Sequence, residues 1–332
     1  VHYWEVWHGN KPFSEYRKYF FRYASEFGFQ SFPSVKTLET VTDDPRELNP
    51  FSYVMEKHQR NYGGNGKIAK YMQAAYRYPE NFSDFVYASQ LLQADGIRYG
   101  VEHYRRNRGR CMGAIYWQLN DCWPVISWSS IDYYGRWKAL HYYAKRFFAP
   151  VMLSCEEQSW MTVEADMNRQ HFEFEKSIRL NVTNETLDAH RVLVKWAVRK
   201  TDATILREEE QWLEVPALSA VWMDKVELPQ IDCFNEYVSY EAWENDQIIS
   251  QGTVIFSYPK YFHYLNPGLA VRVDGDEIVV KAEAYAKSVE IRNENDDLIL
   301  EDNYFDMNAG EYRVKILDGK PDGLKVRSVY DI

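Results

Sequence analysis

Cysteine is scarce in this sequence, and its distribution argues against two kinds of stabilised domain. The four cysteines lie far apart and form no C-x-x-C pair: Cys111, Cys122, Cys155 and Cys233. A disulfide-rich scaffold and a zinc knot are therefore not expected. Three of the histidines, His2, His8 and His58, also lack the spacing of metal ligands. We therefore expect neither a metal nor another cofactor.

Basic residues and long apolar runs are also in short supply. The chain has 39 Lys and Arg against 49 Asp and Glu, a formal net charge of −10. A nucleic-acid-binding protein would show a basic face, so nucleic acid is not an expected partner. No signal peptide is recognisable, and no apolar run is long enough to span a bilayer, so no membrane association is expected. The scattered cysteines favour a cytoplasmic protein.

Aromatic residues, in contrast, are abundant. They make up 16% of the 332 residues, with 11 Trp and 26 Tyr. Aromatic rings with a polar handle fill cores and also stack on sugars, so the excess points weakly to carbohydrate. The chain is long enough for two or three domains. It starts at Val1 inside the aromatic stretch HYWEVWHG, which predicts that it is part of a longer protein.

One carboxylate lies in an apolar stretch that the rest of the chain is organised around. Residues 20–33 read FFRYASEFGFQSFP, and the aromatic residues before Glu26 predict a buried strand that Gly28 and Pro33 end. Glu26 is therefore placed at or just before the carboxyl end of that strand. A carboxylate in an apolar wall is costly unless it is paired or used. The simpler alternative is an ion pair with Arg22, or exposure to solvent.

The pattern of apolar residues changes at Pro150. Before it, strands alternate with helices, and residues 111–121 (CMGAIYWQLND) predict a second buried strand, so parallel strands are expected. After it, segments such as Arg191–Arg199 and Tyr237–Glu244 alternate with period two, which is typical of β-sandwiches. We predict three domains: 1–150 with α/β character, 151–257 as a sandwich, and 258–332 as a second, smaller sandwich.

Four motifs give the chain a resemblance to a known family. They are HYWEVWHGNKPFSEY (2–16), SEFGFQSFPS (25–34), YWQLNDCWP (116–124) and DNYFDMNAGE (302–311). Together they resemble the C-terminal part of a β-mannosidase of glycoside hydrolase family 2. The resemblance implies a multidomain α/β plus all-β fold: the C-terminal portion of a (β/α)8 TIM barrel, followed by two immunoglobulin-like β-sandwich domains.

The same resemblance implies a retaining exo-glycosidase that releases terminal nonreducing β-D-mannose by double displacement. Glu26 in SEFG matches the nucleophile at the end of the seventh barrel strand, and Trp117 in YWQLND matches an aromatic of the mannose pocket at the end of the eighth. The family's acid/base is a Glu in an Asn-Glu motif after the fourth strand, and this sequence lacks that motif. We therefore expect a β-mannoside or manno-oligosaccharide substrate, an inactive isolated chain, and a missing N-terminal half as partner.

Other candidate residues have two interpretations each. The resemblance implies that Trp4, Trp7 and His8 form a wall of the sugar site, but they would serve equally as a hydrophobic plug over the barrel mouth. Asn120 could bind sugar hydroxyls, whereas an Asn-Asp pair often only begins a turn.

Two alternatives to a mannosidase stay open. A family relative that acts on another β-linked sugar, such as a galactoside or glucuronide, is less favoured by the SEFGFQS and YWQLND motifs. A non-catalytic β-sandwich module that binds carbohydrate or assists assembly is the second, because more than half of the chain is sandwich-like and the acid is missing.

Overall fold

The computed structural model describes residues 1–163 and 173–332. Within them, a helical N-terminal region precedes two groups of antiparallel strands. The helices are α1 (Val35–Leu38), α2 (Tyr53–Lys57), α3 (Gly64–Ala75), α4 (Phe82–Arg106) and α5 (Ala139–Phe147). None of them is both long and apolar enough to cross a membrane.

The N-terminal region contains parallel segments that lie side by side. Strand β1 (Ala24–Phe27) pairs in parallel with β2 (Ala114–Tyr116), in the register Ala24 to Ala114 and Phe27 to Tyr116. On its other side β1 pairs with the start of the chain, where His2 forms a parallel bridge to Glu26. The Tyr3 amide donates to the Glu26 carbonyl at 2.7 Å. Parallel pairing of this kind was predicted from the alternation of helices and strands, and Glu26 lies one residue before the end of β1.

The long helix α4 packs against these strands. Asn81 caps it by accepting from the Asp84 amide. A Cβ on Gly100 would lie 2.9 Å from the Phe27 ring, so glycine at this position lets helix and strand approach closely. Gly100 lowers helix propensity, but here it allows the contact that places β1.

The predicted second strand is much shorter and more open than expected. The sequence predicted a buried strand over 111–121, but only Ala114–Tyr116 is extended, and the Ile115 side chain is 51% exposed. Burial of both faces requires a layer on each side of the sheet, and within the described residues only the face toward α4 is covered. Phe20 and Tyr23, predicted to lie within a buried strand, precede β1 and are also exposed.

The first group of strands forms a sandwich of two sheets. One sheet has the order β3-β4-β7, with β8 also on β4, and the other has the order β10-β9-β5-β6. The strands are β3 (Val151–Gln158), β4 (Ser177–Asn184), β5 (His190–Lys200), β6 (Ile205–Val215), β7 (Ser219–Trp222), β8 (Val226–Glu227), β9 (Glu236–Glu244) and β10 (Gln247–Ile255). The strands predicted over 191–199 and 237–244 are both present.

A second, smaller sandwich follows. Its sheets have the orders β11-β12-β16-β14 and β15-β13-β17. The strands are β11 (Ala270–Asp274), β12 (Glu277–Ala282), β13 (Ala286–Arg292), β14 (Ile299–Leu300), β15 (Phe305–Met307), β16 (Gly310–Asp318) and β17 (Lys325–Arg327). The domain limits at 150 and 257 stay predictions.

The apolar cores do not correspond one to one with the domains. The first sandwich has its own core, which includes Leu180, Val194 and Phe256. The core of the second sandwich, with Ile278 and Leu300, is continuous with that of the N-terminal region, with Phe27 and Tyr142. The second sandwich and the helical region therefore share one core.

Candidate active site

Glu26 occupies the centre of the candidate site. Its carboxylate is 24% exposed, and Oε2 lies 3.3 Å from Nδ1 of His2. Oε1 accepts a hydrogen bond from the Trp4 indole Nε1 at 2.9 Å. Arg22, the ion-pair partner considered from the sequence, instead donates to the Gly109 carbonyl at 3.4 Å. The carboxylate is thus held in place by an indole, and it stays open to solvent on one side.

The predicted aromatic wall separates into two layers. Trp4 is half-buried and contacts both Glu26 and the His8 ring, whose centroid lies 5.2 Å away. Partial burial, with a smaller effect of the Lys67 ammonium, lowers the pKa of His8. Trp7 is fully buried and packs edge-on against Phe29 at 4.9 Å. Of the two interpretations left open for Trp7, its burial favours packing; its place in the sugar site stays a prediction.

Trp117 directly follows β2 and is bonded to the end of β1. Its amide donates to the Phe27 carbonyl at 2.7 Å, and its side chain is 46% exposed. A Cβ on Gly28 would lie 2.5 Å from the Trp117 carbonyl oxygen and 2.9 Å from the Trp4 ring. Gly28 therefore allows Trp4 and Trp117 to converge just beyond Glu26.

Asn120 is less closely connected. Its side chain is exposed, and its carbonyl accepts from Nε2 of Gln118 at 2.8 Å. The neighbouring Asp121 accepts from the hydroxyls of Ser127 and Ser129. These hydrogen bonds hold the turn after β2 in place.

The acidic residues nearest in sequence to Glu26 are engaged elsewhere. Glu15 is buried and pairs with Lys18 at 3.0 Å, and Glu39 pairs with Lys36 at 3.2 Å. Glu5 folds back against Gly9. Among residues 1–163 and 173–332, no group of three His, Cys, Asp or Glu side chains is arranged to hold a metal ion. The candidate site therefore consists of one carboxylate among aromatic rings.

Sequence reasoning missed the contacts that three residues make at the site. His2 was considered only as a metal ligand, although the alternation of side chains along an extended segment puts His2 and Trp4 on one face. Gly28 follows the end of β1, as predicted, and it also leaves room for the Trp4 and Trp128 rings, which a Cβ would approach to 2.9 and 3.0 Å. Trp128 packs against Trp4 with ring centroids 6.0 Å apart, a contact between residues too far apart in sequence for a local pattern to indicate.

Comparisons with known proteins identify the two sandwiches and the relatives of the chain. A family model described as "Mannosidase Ig/CBM-like domain" matches residues 176–261, and one described as "Ig-fold domain" matches 264–332. β-Mannosidase B of Thermothelomyces thermophilus is 30% identical over 99% of this chain and 41% of its own length. The β-mannosidase of Capra hircus is 39% identical over 40% of this chain and 16% of its own length. The two sandwiches are thus immunoglobulin-like domains, as predicted.

Solved structures give the same result. The β-D-mannosidase of Dictyoglomus thermophilum superposes with a TM-score of 0.85 at 26% identity, over 98% of this chain and 40% of that chain. The exo-chitosanase of Amycolatopsis orientalis, at 16% identity and a TM-score of 0.66, covers 96% of this chain and 45% of its own, and shares the fold alone. The chain spans about two-fifths of the length of the mannosidases it matches. It therefore belongs with the β-mannosidases of glycoside hydrolase family 2 and corresponds to their C-terminal part.

Proposed function

We propose that this chain supplies the nucleophile and one wall of the sugar pocket of a retaining exo-β-mannosidase. The observation that carries the proposal is the Glu26 carboxylate, which lies near the carboxyl end of a parallel strand and accepts from the Trp4 indole. Trp117 follows the neighbouring strand, and its ring is partly exposed. Aromatic faces beside a carboxylate suit a pyranose ring at an attacking oxygen.

In the proposed mechanism, Glu26 attacks the anomeric carbon and forms a glycosyl-enzyme intermediate, which water then hydrolyses. The Trp4 indole and His2 fix the orientation of the two carboxylate oxygens. A retaining enzyme needs a second carboxyl about 5–5.5 Å from the first to protonate the leaving oxygen. We place that acid in a part of the enzyme outside these 332 residues.

The parallel segments support a barrel of which only part is present here. Residues 1–3, β1 and β2 lie side by side in parallel, which suits consecutive strands of a (β/α)8 barrel whose catalytic groups lie at the carboxyl ends. Ile115 and Leu119 are exposed, and further barrel strands from the same enzyme would cover such apolar groups.

Two forms of the protein test the proposal, the 332-residue chain and the protein extended to the length of its relatives. The extended protein should hydrolyse a chromogenic β-mannoside. In its Glu26→Gln variant the hydrolysis rate should fall at least a thousandfold. In Trp4→Phe the hydrolysis rate should fall about 10–100-fold, which is the effect of losing one hydrogen bond to a charged group. Glu39→Gln, which alters an exposed paired carboxylate, is the matched control and should be unchanged.

The nucleophile can also be identified without the acid. A 2-deoxy-2-fluoro-mannosyl fluoride has a leaving group that departs unprotonated, so it should add one fluoromannosyl mass to the extended protein, on the peptide that contains Glu26. Labelling of another carboxylate would refute the assignment. Turnover by the 332-residue chain alone, lost in Glu26→Gln, would show that the acid lies within these residues.

A further inference from the structure

Lys138 is a buried cation between the segments that follow the two strands of the candidate site. It directly precedes α5 and is only 1% exposed. Its ammonium nitrogen lies 3.3 Å from the Ser31 carbonyl oxygen, 3.5 Å from the Ser127 carbonyl oxygen and 3.5 Å from the Ser129 hydroxyl. Each of these atoms belongs to a segment that leaves β1 or β2.

Two connections lead from this ammonium group to the candidate site. Ser31 lies five residues after Glu26, and its amide donates to the Ser127 carbonyl at 3.0 Å, which joins the two segments. On the other side the Ser129 hydroxyl donates to Asp121 at 2.5 Å. Asp121 also accepts a hydrogen bond from the side chain of Gln118 at 3.2 Å, and Gln118 is the residue that follows Trp117 in the sequence.

The electrostatics around Lys138 are unfavourable for a structural lysine. Burial lowers the pKa of Lys138 to about 8, against the opposing effect of the carboxylates Asp121 and Asp132. Asp132 is occupied by Thr37 and by the amides of Tyr134 and Arg136. A buried ammonium without a close carboxylate costs folding free energy, so its presence is better explained by a role in the site.

We propose that Lys138 is a positioning residue, whose ammonium group holds the segments after β1 and β2 together and so keeps Trp117 in place beside Glu26. This rests on the proposed function of the site. An ammonium group has three donors, which suits the three oxygen acceptors around it. When the ammonium group loses its proton in the mildly alkaline range, the segment that carries Trp117 should shift.

The test reads Trp117 directly in the 332-residue chain and needs no substrate. The protein is labelled with 5-fluorotryptophan, and the Trp117 resonance in ¹⁹F NMR is assigned by its loss in Trp117→Phe. Every protein in the experiment, the reference included, carries Cys122→Ser, which removes the thiol from the loop that follows Trp117. Between pH 6.5 and 9.5 the resonance should move with a midpoint close to 8.

Lys138→Met should abolish this movement and leave the resonance near its alkaline position at all pH values. Lys145→Met is the matched control, since Lys145 lies in α5, which Lys138 precedes, but donates to the Glu301 carbonyl in the second sandwich. In this variant the Trp117 resonance should move with pH as it does in the wild type. A Trp117 resonance that does not move in the wild type, or that moves equally in Lys138→Met, would overturn the proposal. If Lys138→Met does not fold, the wild-type titration still decides. Failure of Glu26 as nucleophile would leave this result untouched, because no turnover is measured.

Discussion

The two sandwiches are attached to the helical region in different ways. The first sandwich has a separate apolar core and meets the helices through charged groups. Arg17 donates to the carbonyl and carboxylate of Glu157 on β3, each at 2.7 Å, and its guanidinium lies over the Tyr99 ring. The second sandwich shares its core with α4 and α5. Tyr304, for example, packs against Tyr142 with ring centroids 5.8 Å apart.

This difference bears on the candidate site. The second sandwich also contacts the segments that follow the site strands: Ser34 donates to Asp296 at 2.8 Å, and Arg136 donates to the Asn295 carbonyl at 3.3 Å. The first sandwich contacts the helices beneath. The smaller domain is thus part of the framework that holds Glu26 and Trp117. The larger one keeps a core of its own, and beside its polar contacts it reaches the shared core through Met152 on β3.

The largest expected effect comes from the polar attachment of the first sandwich. Glu157→Gln removes a buried carboxylate and leaves the Arg17 guanidinium without its counter-charge, which should cost about 3–5 kcal/mol of unfolding free energy. Glu214→Gln, which alters an exposed ion pair with Arg191 in the same sandwich, should cost under about 1 kcal/mol. Urea unfolding at pH 7 measures both. Equal effects of the two variants would show that the attachment does not depend on the buried pair.

The pH dependence sharpens this prediction. Burial would raise the pKa of Glu157, but Arg17 and Tyr99 outweigh it, so the pKa is below its ordinary value. A carboxyl with a lowered folded-state pKa adds stability above its unfolded-state pKa and loses it as pH falls through the folded-state value. The stability gap between the wild type and Glu157→Gln should therefore narrow below about pH 4. A gap that stays constant into strong acid would contradict the ion-pair origin.

A smaller effect, spread over a wider region, is expected from the shared core. Leu300→Ala should cost about 2–5 kcal/mol, because Leu300 is fully buried and its amide donates to the Tyr142 hydroxyl on α5. Leu180→Ala in the first sandwich is the matched truncation. Hydrogen exchange should quicken in α4, α5 and the second sandwich for Leu300→Ala, and only in the first sandwich for Leu180→Ala. Faster exchange confined to residues 264–332 in Leu300→Ala would mean that the shared core does not unfold as a unit.

Local patterns were sufficient to predict individual strands of the first sandwich, but not how the sandwiches attach. Period-two alternation identifies β5 and β9 because each strand has one buried and one exposed face. No periodicity indicates that Leu300 meets Tyr142, since this contact joins residues 158 positions apart. The strand predicted over 111–121 was overextended for the same reason. The apolar composition of this stretch predicts burial on both faces of the strand. In the part of the chain that the structure describes, neighbouring residues cover only one face.

The candidate site shows the same division. Glu26 was identifiable because a carboxylate within an apolar run conflicts with the local pattern, and such conflicts often mark function. Lys138 gave no such signal. A lysine between Trp137 and Ala139 is unremarkable in sequence, and its burial depends on Ser31 and Ser127, which lie 107 and 11 positions away. A residue that positions a site through non-local contacts can be identified only once the fold is known.

The smallest expected effect on stability belongs to the residue with the largest proposed effect on activity. Glu26→Gln keeps an oxygen that can accept from the Trp4 indole and loses only a partly exposed contact with His2. Its unfolding free energy should stay within about 0.5 kcal/mol of the wild type in the same urea experiment. Unlike Glu157, Glu26 has no buried counter-charge that its removal would leave unpaired. A loss of about 2 kcal/mol or more would instead make Glu26 a structural group, and its place among the aromatic rings would no longer argue for catalysis.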